Sequence, residues 1–314
     1  MDLSKFHIIG VVSNPVDYRS RYRLYEVFQD DITRKGAQLW TVELATGARL
    51  HKITNVSEPK HIQAWASALP GEIWIKESMI NLAIQHISRQ HPDWRYIAWV
   101  DADVKFEKGM LEKTVHELQI WDLVQMWSHA VDLGPNDETL QVQVSYMYAH
   151  WNDMVIPGNT PYTQGGHPGY AWAARREAVN KLGGLVDWAV LGSADRHMAG
   201  ALVGKVHETY HHGINNNYKE WLHVWQSRAE THIRRNVGYV QGTIRHLWHG
   251  KKSQRGYSSR WKLLVDHQFN PVTDIKKDVY GLWQLVAESP RQIRMRDDMR
   301  RYFRDRMEDS TDLK

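Results

Sequence analysis

Short apolar runs alternate with amphipathic helical stretches through the first 130 residues, and few architectures are open to such a chain. The run "FHIIGVVSN" (6–14) reads as a buried strand ending at a polar turn. In residues 17–36, Tyr22, Tyr25, Val27 and Phe28 recur at helical spacing, and Gly36 is a stop signal. "AQLWTVEL" (37–44) is a second strand. Residues 73–91 form a strong amphipathic helix with Ile75, Met79, Leu82, Ile84 and Ile87 recurring, and Pro92 ends it. "RYIAWVD" (95–101), "KGMLEKTVHELQ" (108–119) and "DLVQMWS" (122–128) then read as strand, helix and strand. This order predicts an α/β fold: a Rossmann-like, mainly parallel mixed sheet with helices on both faces.

In such a sheet, ligands bind beyond the carboxyl ends of the strands. The polar residues expected there are Ser13, Asn14, Glu43, Asp101-Ala102-Asp103, Ser128 and His129. The acids are the conspicuous members. Strand alternation puts Asp101 and Asp103 on the same face, about 7 Å apart along the chain. Two carboxylates that close repel one another, so either a cation sits between or beside them or the strand ends there in water. Hard divalent cations prefer carboxylate oxygens, and Asp-x-Asp after a central strand is a recurrent way to hold Mg²⁺ or Mn²⁺ with a diphosphate.

Composition narrows the chemistry. The 314 residues contain no cysteine, so disulfides and thiolate metal sites are excluded and oxygen and imidazole ligands remain. No apolar run is long enough for a membrane span, and the beginning "MDLSKFHIIG" does not read as a secretory signal, so a cytoplasmic location is expected. The net charge of +4 is uneven: residues 245–314 hold 16 Lys and Arg against 10 Asp and Glu, leaving the rest of the chain at −2. A basic C-terminal region fits an anionic partner or a solvated helix rich in ion pairs.

The stretch "WIKESMINLAIQHI…WRYIAWVDADVKF" resembles nucleotide-sugar glycosyltransferases of the GT-A fold, in which a helix precedes a strand ending in an acidic metal motif. "GGHPGYAWAARREAVNKLGGLVDWAVLGSADRHMAGAL" is similar to the acceptor-side signature of galactosyltransferase-like members, with a departure: Gly192-Ser193-Ala194-Asp195 stands where they carry Gly-Glu-Asp-Asp. The likeness covers about residues 5–265 and extends to glycosyltransferases of tailed bacteriophages, some of which decorate hydroxymethylated pyrimidines in DNA; for a phage protein the location would be the host cytoplasm.

The resemblance implies a metal-dependent, inverting transfer from a UDP-sugar to an acceptor hydroxyl. The cofactor would be Mn²⁺ or Mg²⁺, held by Asp101, Asp103 and a histidine, with His249 preferred to His246. Asp195 would be the general base, at a helix start that Ser193 could cap, with Asp187 second. The donor would contact Asn14, Tyr18, Arg19, Glu43, Lys76, Asn81, Asp101, Ala102, Lys251, Lys252 and Arg255, with Arg260 in the same basic run. Gly166, His167, Tyr170 and Trp172 would line the acceptor side. One domain is expected over 1–288, with a nucleotide half (1–128) and an acceptor half (129–265), followed by a basic helix over 289–314. The Gly/Pro-rich run 155–170 reads as a long functional loop. Modified DNA fits the basic C-terminus as acceptor, and a polysaccharide or protein hydroxyl fits nearly as well. Two other functions compete: a sugar nucleotidyltransferase, although no glycine follows the first strand, and a nucleic-acid-binding protein, which leaves the paired acids unexplained.

Overall fold

The computed structural model describes residues 3–68, 71–154, 165–256 and 259–312. The expected alternation is present. Strand β1 (Phe6–Ser13), helix α1 (Arg19–Arg34), β2 (Gln38–Thr46), β3 (His61–Ala66), α2 (Lys76–Gln90) and β4 (Tyr96–Val100) come first. They are followed by β5 (Val104–Phe106), α3 (Met110–Glu117), β6 (Leu123–Gln125), β7 (His129–Leu133), β8 (Thr139–Val144) and α4 (Tyr146–Trp151). The second half adds β9 (Ala171–Arg175), α5 (Arg176–Leu182), α6 (Ala194–Leu202), α7 (Asn216–His232), β10 (Val237–Tyr239) and β11 (Thr243–His246). The chain closes with α8 (Ser259–Asp266), the hairpin β12 (Ile275–Lys277) and β13 (Trp283–Leu285), and α9 (Pro290–Arg304).

The main sheet has seven strands in the order β10-β6-β9-β4-β1-β2-β3, flanked by helices. It is the mostly parallel mixed α/β sheet that the sequence predicts. Only β9 runs antiparallel to its neighbours, β4 and β6. Alternation along β1 explains why both faces are covered. Ile8 joins the layer under α1 and α3 with Phe28, Ile32 and Val115, while Ile9 joins the layer under α2 with Met79, Ala83 and Ile87.

A second sheet, β5-β11-β7-β8, positions the site. Strand β4 ends at Val100, and Asp101-Ala102-Asp103 forms a turn in which the Val104 amide donates to the Asp101 carbonyl. The chain then leaves the main sheet for β5. The two acids therefore do not share one strand face; the turn aims them at different partners.

The C-terminal helix begins with a capping box at Ser289 and Gln292. Its Met295, Met299 and Phe303 are buried in the α2-side core. Its basic character is largely neutralised. Arg291 pairs with Asp274, Arg296 with Asp297, Arg301 with Asp298, and Arg300 and Arg304 with Glu72. No helix among the described residues is long and apolar enough to cross a membrane.

Candidate metal and transfer site

Strand pairing brings Asp103 to the histidines. In the antiparallel β5–β11 ladder Val104 lies opposite His246, and the Leu247 amide donates to the Asp103 carbonyl at 2.8 Å. Asp103 Oδ2 then lies 2.9 Å from His249 Nε2 and 3.7 Å from His246 Nε2, and the two Nε2 atoms are 3.2 Å apart. One ligand atom from each residue lies within 4.8 Å of the other two. Both histidines face the acid.

The donor set of one carboxylate and two imidazoles suits a divalent transition-metal ion. Asp103 Oδ1 is buried without a hydrogen-bond partner among the described residues, as expected of an oxygen reserved for a cation. The electrostatics agree. Burial opposes ionisation of Asp103, but His246 and His249 outweigh it and hold the carboxyl well below its usual range. Burial, with Arg255 nearby, pushes His249 down to about 4, so its ring is neutral and can ligate. His246 is shifted upward: burial opposes the charge, but Asp103 and Asp132 favour it more.

Asp101 is answered by Lys76, whose Nζ lies 2.7 Å from its Oδ1. Glu77, not singled out in the sequence, stands beside them with Oε1 3.6 Å from the same ammonium. That separation would ordinarily lower a carboxylate pKa, yet Glu77 is pushed up to about 7. Burial is the main cause. Lys76 opposes it but is spent on Asp101, and Asp195 adds to the upward shift. The folded protein thus keeps a proton that the unfolded chain releases near the ordinary value of 4.5. Stability should therefore fall as pH rises from about 4.5 to about 7, by up to about 3 kcal/mol. Chemical denaturation across this range should show Glu77→Gln with a flatter profile than wild type; equal slopes would contradict the assignment.

Asp195 sits in the first turn of α6, where its Oδ1 accepts from the Arg196 amide at 2.8 Å. Ser193 does not cap the helix through its side chain; it adopts φ +84°. Gly169 makes room for the acid: a Cβ there would lie 2.6 Å from Asp195 Oδ2 and 3.1 Å from the His167 ring. His167 is pushed down to about 4 by burial, with Asp195 opposing, and its Nδ1 accepts from the Gly169 amide, which leaves Nε2 to carry the proton. The ring stacks on Tyr170 at 4.0 Å, and Tyr170 lies 4.7 Å from His246. Aromatic rings therefore connect the Asp195 side to the metal cluster.

Other expected site residues have their polar groups engaged by the protein. Asp187 Oδ1 accepts from Trp283 at 2.8 Å, while its Oδ2 lies near Asn81, Ser78 and Lys277. Asn81 also holds the backbone of Leu185 in both directions. Glu43 lies within β2 rather than at its end, and its oxygens accept from the amides of Lys52, Ile53 and Thr54. Trp172 is buried because β9 lies mid-sheet with both faces covered, and its indole donates to the Pro168 carbonyl. Gly166 adopts φ +86°, with the Ser145 carbonyl 2.6 Å from where a Cβ would stand. Ala102 is half-buried between the acids, and Lys251 is half-buried beside His249 and Gly250. Lys252 pairs with Asp132. Buried Arg255 donates to the Gly250 carbonyl. Of the Gly/Pro-rich loop, residues 155–164 lie outside the described residues.

The turn after β1 is covered by the C-terminal tail. Asn14 clamps the backbone of Tyr18 through two hydrogen bonds, and the Tyr18 hydroxyl donates to the carbonyls of Phe303 and Arg304. Arg19 is exposed, and the carboxylate of Asp309 accepts from the Arg19 and Ser20 amides at the start of α1. The arginine packed inward here is half-buried Arg21, bidentate to Glu308 at 2.6 and 2.7 Å. The tail also backs the histidine loop: Trp248 donates to the Ser310 carbonyl, and a Cβ on Gly250 would stand 3.0 Å from the Met307 carbonyl oxygen.

No protein-family model matches the chain, and no curated protein matches it. Solved structures are similar to it. A Drosophila β-1,4-galactosyltransferase 7 mutant, in complex with manganese, UDP-Gal and xylobiose, is 12% identical over 92% of this chain and 98% of that one, with a TM-score of 0.40. The inositol-1-phosphate CTP transferase of T. maritima is 8% identical over 78% and 89%, with a TM-score of 0.37. S. aureus TarS in complex with UDP-GlcNAc is 11% identical over 76% and 58%, with a TM-score of 0.36. At these values the likeness is one of chain path, and the chemistry of the site stands on its own residues.

Proposed function

We propose that the protein is a metal-dependent glycosyltransferase that moves a sugar from a UDP-sugar to an acceptor hydroxyl. The observation that carries this reading is the convergence of His246 and His249 on Asp103 Oδ2, with Asp103 Oδ1 buried and unpartnered among the described residues, at the carboxyl end of a central strand. Those three residues would hold Mn²⁺ or Mg²⁺, which when bound neutralises charge on a departing diphosphate. Lys76 holds Asp101 in place beside them.

On the acceptor side, Asp195 accepts the proton of the attacking hydroxyl at its carboxylate. The bond from the acceptor oxygen to the anomeric carbon forms as the bond from that carbon to the diphosphate breaks, UDP leaves, and the configuration inverts. The neutral His167, held by Gly169 and stacked on Tyr170, orients the acceptor beside that carboxylate. The acceptor is proposed to be a hydroxyl on a polymer. The basic count of residues 245–314 favours modified DNA, but the ion pairs along α9 leave less free charge for phosphate contacts than that count implies.

The test is a screen of UDP-sugars for Mn²⁺-dependent hydrolysis, with and without hydroxymethylated DNA, at low and physiological salt. Donor cleavage that stops on chelation supports the reading. Cleavage that persists in chelator, or its absence with every donor, contradicts it. Salt-insensitive or absent DNA binding removes DNA as acceptor and leaves the transferase reading in place.

A further inference from the structure

We infer that Asp132, on β7, is the positioning residue that fixes the ring of His246 and thereby sets the metal affinity of the site; this rests on the metal reading proposed above. Asp132 lies directly opposite His246 in the parallel β7–β11 ladder and is 3% exposed. Its Oδ1 lies 2.9 Å from His246 Nδ1 and accepts from the Tyr170 hydroxyl at 2.8 Å. Its Oδ2 accepts from Gln143 at 2.5 Å and from Lys252. A buried carboxylate held by four partners is fixed in place, so the imidazole bound to it is fixed as well.

The hydrogen bond assigns Nδ1 as the protonated nitrogen. Nε2, which faces Asp103 and His249, is then the nitrogen left to bind a metal ion, the geometry a metal-binding histidine needs. Tyr170 completes the clamp. It adopts φ +76°, a region costly for a bulky residue, and this conformation puts its hydroxyl on Asp132 while its ring lies against His246. Strain retained beside a cluster of ligands is consistent with positioning rather than with filling space. On this inference Tyr170 also acts behind the metal site, beside the acceptor-side place that the resemblance implies.

The experiment is titration of Mn²⁺ alone into the full chain, followed by electron paramagnetic resonance of the free ion, with no sugar donor. Asp132→Asn should raise the Mn²⁺ Kd about 10–100-fold, the usual cost of losing a partner behind a metal-binding histidine. Asp132→Glu should recover part of the loss. Tyr170→Phe, which keeps the ring and removes the hydroxyl that donates to Asp132 and accepts from Gln143, should weaken binding by less; it decides the matter if Asp132→Asn does not fold. An unchanged Kd in folded Asp132→Asn, or in Tyr170→Phe where that variant decides, overturns the inference while the metal reading survives. Absence of binding by wild type overturns both.

Discussion

Asp195→Asn is expected to bind the donor with wild-type affinity and to transfer the sugar about 10²–10⁴-fold more slowly, the usual cost of losing a positioned base. The expectation follows from where the carboxylate stands. Its Oδ1 is tied to the amide of Arg196, so the α6 backbone sets its direction, and Gly169 leaves the space its Oδ2 occupies. The amide side chain keeps the shape and one acceptor oxygen but cannot take a proton. Single-turnover transfer measured beside donor binding separates the two effects. A normal transfer rate would move the base elsewhere. Asp187 is then the weaker successor, because its oxygens already accept from Trp283 and lie against Asn81 and Lys277.

The second large effect is on stability. Glu308 is 1% exposed and is gripped by Arg21 and by Arg306 at 2.8 Å, with both guanidiniums over the Trp74 ring. Burial alone would raise its pKa, but the two arginines hold it well below the usual carboxylate range. Glu308→Gln leaves buried Arg306 and half-buried Arg21 without their counter-charge, and breaking such a pair typically costs about 3–5 kcal/mol. For a chain of this size that corresponds to a fall in Tm of roughly 10 °C. The sign of the pH dependence is fixed by the downward shift. The stability that Glu308 contributes is present above the ordinary carboxylate pKa and is lost as pH falls below it, so variant and wild type should converge in acid. Equal melting temperatures at neutral pH would show that the tail is not held by this carboxylate.

The legibility of the molecule in its sequence follows the range of the interactions. The elements β1, α1, β2, α2, β4, α3 and β6 were readable because periodicity is local: Ile8 and Ile9 point to opposite faces, and Met79, Ala83 and Ile87 share one. Asp103 was a candidate from its place after a strand and His249 from the resemblance, and the fold groups both with His246. Long-range register was not readable. Asp132 is an ordinary acid in "HAVDLG" until β7 pairs with β11, 114 residues later, and puts it against His246. The same holds for the tail, whose Glu308 meets Arg21 across 287 positions. The basic excess of α9 left two readings open for a related reason: composition counts charges but not the acids, such as Glu72 and Asp274, that the fold brings to them. Glu77 escaped notice because a carboxylate in the first turn of a helix reads as dipole compensation, whereas burial beside an occupied lysine gives it a different character.

The most direct measurement is calorimetric titration of Mn²⁺, and then UDP, into wild type and Asp103→Ala, repeated in the presence of EDTA. Wild type should bind one ion and then bind UDP more tightly than its metal-free form does. Asp103→Ala should lose the ion and with it the gain in UDP affinity, while its metal-free fold stays intact by circular dichroism. Equal Mn²⁺-dependent UDP binding by the two proteins would contradict the account, because the buried oxygen of Asp103 would then have no cation to meet.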